Sequence, residues 1–141
     1  MLFRSVSVEY VPAEHLDQFW PVAEPMLKRV EEQIGARMGM ADIYARLKSG
    51  AETLWFIAQN GDIVAAATTS IAFYPRRKCL VIENVAGRQM DEWGDDVIAE
   101  FKRIGIASEL DGIEAHGRLG WKKYHQRNGF RIRDVIYEME F

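Results

Sequence analysis

Apolar positions recur along the chain in two periods, one near two residues and one near 3.6. Phe3 to Val11 alternates crudely and is rich in valine and aromatics, which predicts a first strand. Pro12 stops it and suits the first turn of a helix. From Glu14 onward, Leu16, Phe19, Trp20, Ala23, Met26, Leu27, Val30 and Ile34 fall at helical spacing. Pro21 and Pro25 lie inside that stretch and predict a kinked or two-piece helix. Gly35 and Gly39 mark a loop, and Ala41 to Lys48 predicts a short second helix stopped by Gly50.

The middle of the chain changes period. Thr53 to Gln59 predicts a strand, Asn60-Gly61 a two-residue hairpin turn, and Asp62 to Tyr74 a longer returning strand. Pro75 to Lys78 predicts the next turn and Cys79 to Ala86 a further strand, so this region predicts an antiparallel meander. Met90 to about Leu110 is helical in period, through Trp93, Val97, Ile98, Phe101 and Ile104. Asp91 or a neighbour is expected to cap its start, with Glu92, Asp95 and Asp96 complementing the helix dipole. Ile113 to His116 predicts a short strand, Gly117 to Asn128 an amphipathic helix stopped by Gly129, and Phe130 to Phe141 a final strand or hairpin. The order is β-α-α-β-β-β-α-β-α-β, an α+β class with a mixed sheet. Its strand-helix-strand unit implies a parallel, right-handed crossover.

Composition narrows the class. The 141 residues suit one domain spanning 1–141, and 48% hydrophobic residues argue against disorder. With 18 basic and 21 acidic residues the net charge is -3, so no basic nucleic-acid footprint is expected. The longest weakly polar run, Ile63 to Tyr74, is too short for a membrane helix. Arg4 and Glu9 interrupt any signal-like apolar run. The single cysteine, Cys79, excludes an intrachain disulfide and a multi-cysteine zinc site. The expectation is a cytoplasmic protein without nucleic-acid or membrane partners.

The element order, together with Tyr124-His125-Gln126-Arg127-Asn128-Gly129-Phe130, resembles the GNAT superfamily of acyl-CoA N-acyltransferases over essentially the whole chain. The last third, through Val85-Ala86-Gly87, Trp93, Gly117-Arg118, Trp121 and Gly129-Phe130, is also similar to short GNAT-like proteins of tailed phages and prophages. The resemblance implies that the fourth and fifth strands splay around the pantetheine of acetyl-CoA or a related acyl-CoA. The cofactor pyrophosphate would then lie at the start of the following helix, where backbone N–H groups bind anions. It assigns cofactor binding to Asn84, Val85, Gly87, Arg88 and Arg118. It makes Glu83 the general base and Tyr124 or His125 the acid for the leaving thiolate.

The family's phosphate loop usually reads Arg/Gln-x-x-Gly-x-Gly/Ala. Here Arg88 fits, but Asp91 and Trp93 stand at the small positions, and Trp121 stands where the last helix usually has alanine. Carboxylates that suit an empty helix start repel a phosphate. Two expectations follow. One is an N-acyltransferase acting on a small-molecule or peptide amine. The other is a catalytically inactive GNAT-derived binding or structural protein with a protein partner. A homodimer is compatible with either.

The remaining candidates have plain structural explanations. Glu83 interrupts an apolar strand and shares a face with Val81 and Val85 if the strand is regular, which would leave it partly desolvated. If the strand bulges there, Glu83 is solvated or paired instead. Glu114 and His116 share a face but lack a third ligand at metal spacing, so no metal is expected. Arg118 and Lys122 form a solvated basic face or an anion cradle. The tryptophans are core anchors, Cys79 is an inert buried thiol, and Arg76-Arg77-Lys78 is a solvated turn.

Overall fold

The structure, a computed structural model, describes residues 5–32, 36–116 and 122–141. Its strands are β1 (Val6–Val11), β2 (Thr53–Gln59), β3 (Asp62–Tyr74), β4 (Arg77–Gly87) and β5 (Gly112–Ala115). Its helices are α1 (Leu16–Glu31), α2 (Met40–Ser49), α3 (Met90–Ala107) and α4 (Lys122–Arg127), and a 3-10 turn at Ala13–His15 precedes α1. The sheet order is β1-β2-β3-β4-β5. The first four strands are antiparallel neighbours, and β5 joins β4 in parallel through the α3 crossover.

Each face of the sheet carries its own core. Leu16, Ala23 and Leu27 of α1 and Ile43 and Leu47 of α2 pack on Val11, Leu54, Phe56, Ala66 and Ala86. Trp93, Val97 and Phe101 of α3 pack on Ile57, Ala65, Ala67, Leu80 and Ile82. The Asn60-Gly61 turn has positive φ at both residues, 54° and 87°, as a hairpin matched to the strand twist requires.

Three expectations are corrected. α1 is a single helix with Pro21 and Pro25 inside it, so it is the two-piece alternative that is corrected. Both prolines are exposed, so the carbonyls they leave without an N–H partner are on the wet side. No side chain caps the start of α3: Gln89 stands there with φ 58°, and Asp91 is the second helical residue. Residues 130–141 form no strand. Their apolar positions switch phase, from Phe130 and Ile132 to Val135, Tyr137, Met139 and Phe141, and no strand among the described residues pairs with them to fix either phase. The expected helix residues Gly117 to Trp121, Arg118 among them, lie outside the described residues.

Candidate functional site

The middle of β4 is irregular where the sequence interrupts its apolar run. Thr68 of β3 faces Asn84 and Thr69 faces Ile82, so Glu83 is the extra residue of a β-bulge. The bulge changes the facing of everything after it. Leu80 and Ile82 contact the α3 layer before it and Val85 after it, while Ala86 turns to the α1–α2 layer. Glu83 therefore does not continue a single face from Val81 to Val85, as a regular strand would require. Its Oε1 accepts a hydrogen bond from Ser70 Oγ at 2.8 Å, and the side chain is half-buried. The next residue, Asn84, donates from Nδ2 to Thr68 Oγ1 at 2.9 Å.

The same stretch loses its outer neighbour. β5 pairs with Cys79–Ile82 and no further, so residues 83–87 pair with β3 alone among the described residues. The strand ends at Gly87, where a Cβ would lie 2.3 Å from the Ala65 Cβ and 2.4 Å from the Val64 carbonyl oxygen. Gly87 is thus a glycine because β3 fills its side-chain space. The Arg29 guanidinium donates to the Gly87 carbonyl at 2.9 Å and ties α1 to this end of β4.

The chain then turns into α3. The Arg88 N–H donates to the Val64 carbonyl at 3.1 Å, and the Arg88 carbonyl accepts the Trp93 indole N–H at 2.7 Å. Trp93 is 1% exposed and belongs to the core under α3, with its indole N–H held at the residue just before the helix cap. Asp91 and Glu92 are exposed in the first turn. The uncapped start of the helix is a polar end compatible with an anion, although those carboxylates oppose it.

α4 docks on the first half of α3. Asp95 accepts hydrogen bonds from Arg127 Nη2 and from Asn128 Nδ2, each at 3.0 Å. Those two donors hold the Asp95 carboxyl below the usual carboxylate range. Tyr124 is half-buried over Gly94, with the Arg127 guanidinium 5.3 Å above its ring. Burial, helped by the Asp95 charge, pushes the Tyr124 phenol up to about 12. His125 stacks edgewise on Phe130 at 5.2 Å, and burial lowers its pKa. Tyr124 therefore keeps its proton at neutral pH, whereas His125 is held neutral there.

The structure thus places Glu83, Asn84, Val85 and Gly87 along a stretch of β4 that leads to Arg88 and pairs with β3 alone among the described residues, and puts Tyr124 and His125 on a helix that braces α3. Glu114 accepts a hydrogen bond from the Tyr74 hydroxyl at 3.0 Å, and His116 is exposed. Among the described residues no group of three His, Cys, Asp or Glu is arranged to hold a metal. No described helix is long and apolar enough to cross a membrane. Sequence reasoning missed Ser70, Arg29, Gly94 and Asp95. Each acts on a partner that only the fold brings near.

No family model matches this sequence, and no curated protein matches it. Solved structures do. The aminoglycoside N-acetyltransferase AAC(6')-Iy in complex with CoA superposes with a TM-score of 0.66 at 16% identity, over 99% of this chain and 97% of that one. An acetyltransferase of Trypanosoma brucei gives 0.67 at 15% identity, over 97% and 100%. The aminoglycoside acetyltransferase meta-AAC0020 from an uncultured soil sample, in complex with sisomicin, gives 0.66 at 11% identity, over 96% and 95%. At such identities the likeness is one of architecture: the chain has the GNAT acetyltransferase fold.

Proposed function

We propose that the chain is an N-acyltransferase that moves an acyl group from acetyl-CoA or a related acyl-CoA to a small-molecule or peptide amine. One observation carries the proposal: the Glu83 bulge lies just past the residues of β4 that pair with β5, and residues 83–87, which pair with β3 alone among the described residues, run to an uncapped helix start. The outward-facing backbone groups of Val85 suit the amides of a pantetheine arm. Arg88 and the start of α3 suit its phosphates. Acyl-CoA supplies a thioester carbonyl carbon open to attack.

Glu83, held by Ser70, accepts the proton whose loss turns the acceptor ammonium into a nucleophilic amine. As the C–N bond forms, the C–S bond breaks. The second nitrogen proton reaches the departing sulfur through the Tyr124 hydroxyl or His125, and the first leaves Glu83 for solvent. With its pKa raised, Tyr124 donates without ionising beforehand. The exposed Asp91 and Glu92 favour the alternative, a GNAT-derived binding or structural protein that takes no acyl-CoA.

Thermal unfolding with acetyl-CoA, and with CoA and ADP as controls, separates the two. Ligand at about a hundred times its dissociation constant adds about 2.7 kcal/mol, a rise of several degrees at this size. No shift at millimolar acetyl-CoA overturns the acyltransferase proposal.

A further inference from the structure

A cavity lies at the opposite end of β4 from the stretch proposed to meet the cofactor. It has a volume of about 440 Å³ and is lined by Tyr74, Arg76, Arg77, Glu114, Arg133 and Asp134. Cross-strand partners share a face of a sheet. Tyr74 pairs with Arg77, Ser70 with Val81, and Val81 with Glu114. Tyr74, Arg77, Glu114 and Ser70 therefore lie on one face, the face away from the α3 core that holds Leu80 and Ile82. Glu83 reaches that same face, because its carboxylate takes the Ser70 hydrogen bond. Glu114 is level with Val81, two residues before Glu83, or about 7 Å along the strand.

The wall is charged with both signs, in an order. Arg76, Arg77 and Arg133 supply three guanidinium groups, and Glu114 and Asp134 supply two carboxylates. Arg77 is steadied by its Nε donating to Cys79 Sγ at 3.2 Å, and Glu114 by the Tyr74 hydroxyl. A polycationic amine would meet the arginines unfavourably. A molecule with an ammonium at one end and a carboxylate at the other meets both signs, and guanidinium groups match a carboxylate in bidentate geometry. We infer that this cavity binds the acceptor, and that the acceptor is a zwitterionic amine of amino-acid or dipeptide size, its carboxylate on the arginines and its ammonium turned past Glu114 toward Glu83. This deepens the acyltransferase proposal and rests on it.

The test uses pairs of amines that differ only in a carboxylate: L-lysine with cadaverine, L-tyrosine with tyramine, and sisomicin as the polycation. Binding is followed by backbone NMR of the full chain without CoA, and turnover by release of free CoA from acetyl-CoA. The expected result is that the amino acids shift the Arg76, Arg77 and Glu114 amides while their decarboxylated partners do not. In turnover the amino acids lead by roughly tenfold or more in kcat/KM, the scale of one charge-assisted contact. Arg76→Gln, on an exposed turn, should cut that preference while leaving the unfolding midpoint in place. Equal binding and turnover by cadaverine or sisomicin overturns the zwitterion inference and leaves the acyltransferase proposal standing. Amino-acid binding at these amides without any acetyl-CoA shift overturns the acyltransferase proposal and with it the acceptor role, and leaves an amino-acid site. No amide shift with any amino acid overturns the cavity assignment.

Discussion

The Tyr124 hydroxyl occupies the space that a side chain at Gly94 would fill: a Cβ there would lie 2.4 Å from it. The missing side chain lets α4 lie close on α3 and buries the phenol. Gly94→Ala should therefore displace α4 despite alanine's higher helix propensity, which is worth about 1 kcal/mol. The expected signature is a fall in the phenol pKa from about 12 toward the ordinary value of 10, read by ultraviolet titration of a variant keeping Tyr124 as the reporter. An unchanged titration would mean that α4 has room to spare.

His125 predicts a pH dependence of stability. Burial lowers its folded pKa below the ordinary 6.5, and Nδ1 has no hydrogen-bond partner among the described residues. As pH falls below about 6.5 the unfolded chain takes up a proton that the folded chain refuses. Stability therefore drops across that window and levels off once pH passes the folded pKa. Urea unfolding at pH 7.5 and pH 5 should show the drop, and His125→Gln should remove its part of it.

Gly87→Ala tests the close approach of β4 to β3. The new methyl would meet Ala65 and the Val64 backbone, neither of which can rotate aside. A loss of about 1–3 kcal/mol or more is expected, from strain of the overpacking kind. Urea denaturation measures it, and a neutral result would show that the end of β4 peels away freely.

Glu52 is 2% exposed, ion-paired with Arg46 through Oε2, and its Oε1 has no partner among the described residues. Arg46→Leu leaves that carboxylate buried and unpaired, for a cost of about 1–3 kcal/mol. Adding Glu52→Leu should recover part of the loss. A double-variant cycle in urea checks the coupling, and additive losses would show that the pair does not interact.

Much of this architecture was legible in the residues. Asn60-Gly61 marked the hairpin because both positions take positive φ, and Gly50 and Gly129 ended their helices with φ of 83° and 90°. The periods of α1 and α3 were readable because each buries one stripe. The bulge was harder to see. Glu83 broke the apolar run of β4, but the switch of face after it is a property of the pairing with β3 and has no local mark. The partners that hold the site failed for the same reason: Ser70, Gly94 and Asp95 are ordinary residues until the fold brings Glu83, Tyr124 and Arg127 to them. Residues 130–141 show the converse. Their apolar alternation is a strand pattern, and a pattern becomes a strand only with a neighbour to bond to.

The sheet also implies an order of assembly. β2, β3 and β4 are joined by tight turns at Asn60-Gly61 and Pro75-Arg76, so their pairing closes short loops cheaply. β1 must close over α1 and α2, and β5 over α3, before either is rewarded with contacts. β5 pairs with β4 through only the four residues Gly112–Ala115 among the described residues. In hydrogen exchange its amides should open earliest in the sheet, long before those of β3. The seam that closes last during folding is then the one a ligand parts most easily. An acyl-CoA lying in it would act as a stitch, slowing exchange most where the free protein exchanges fastest.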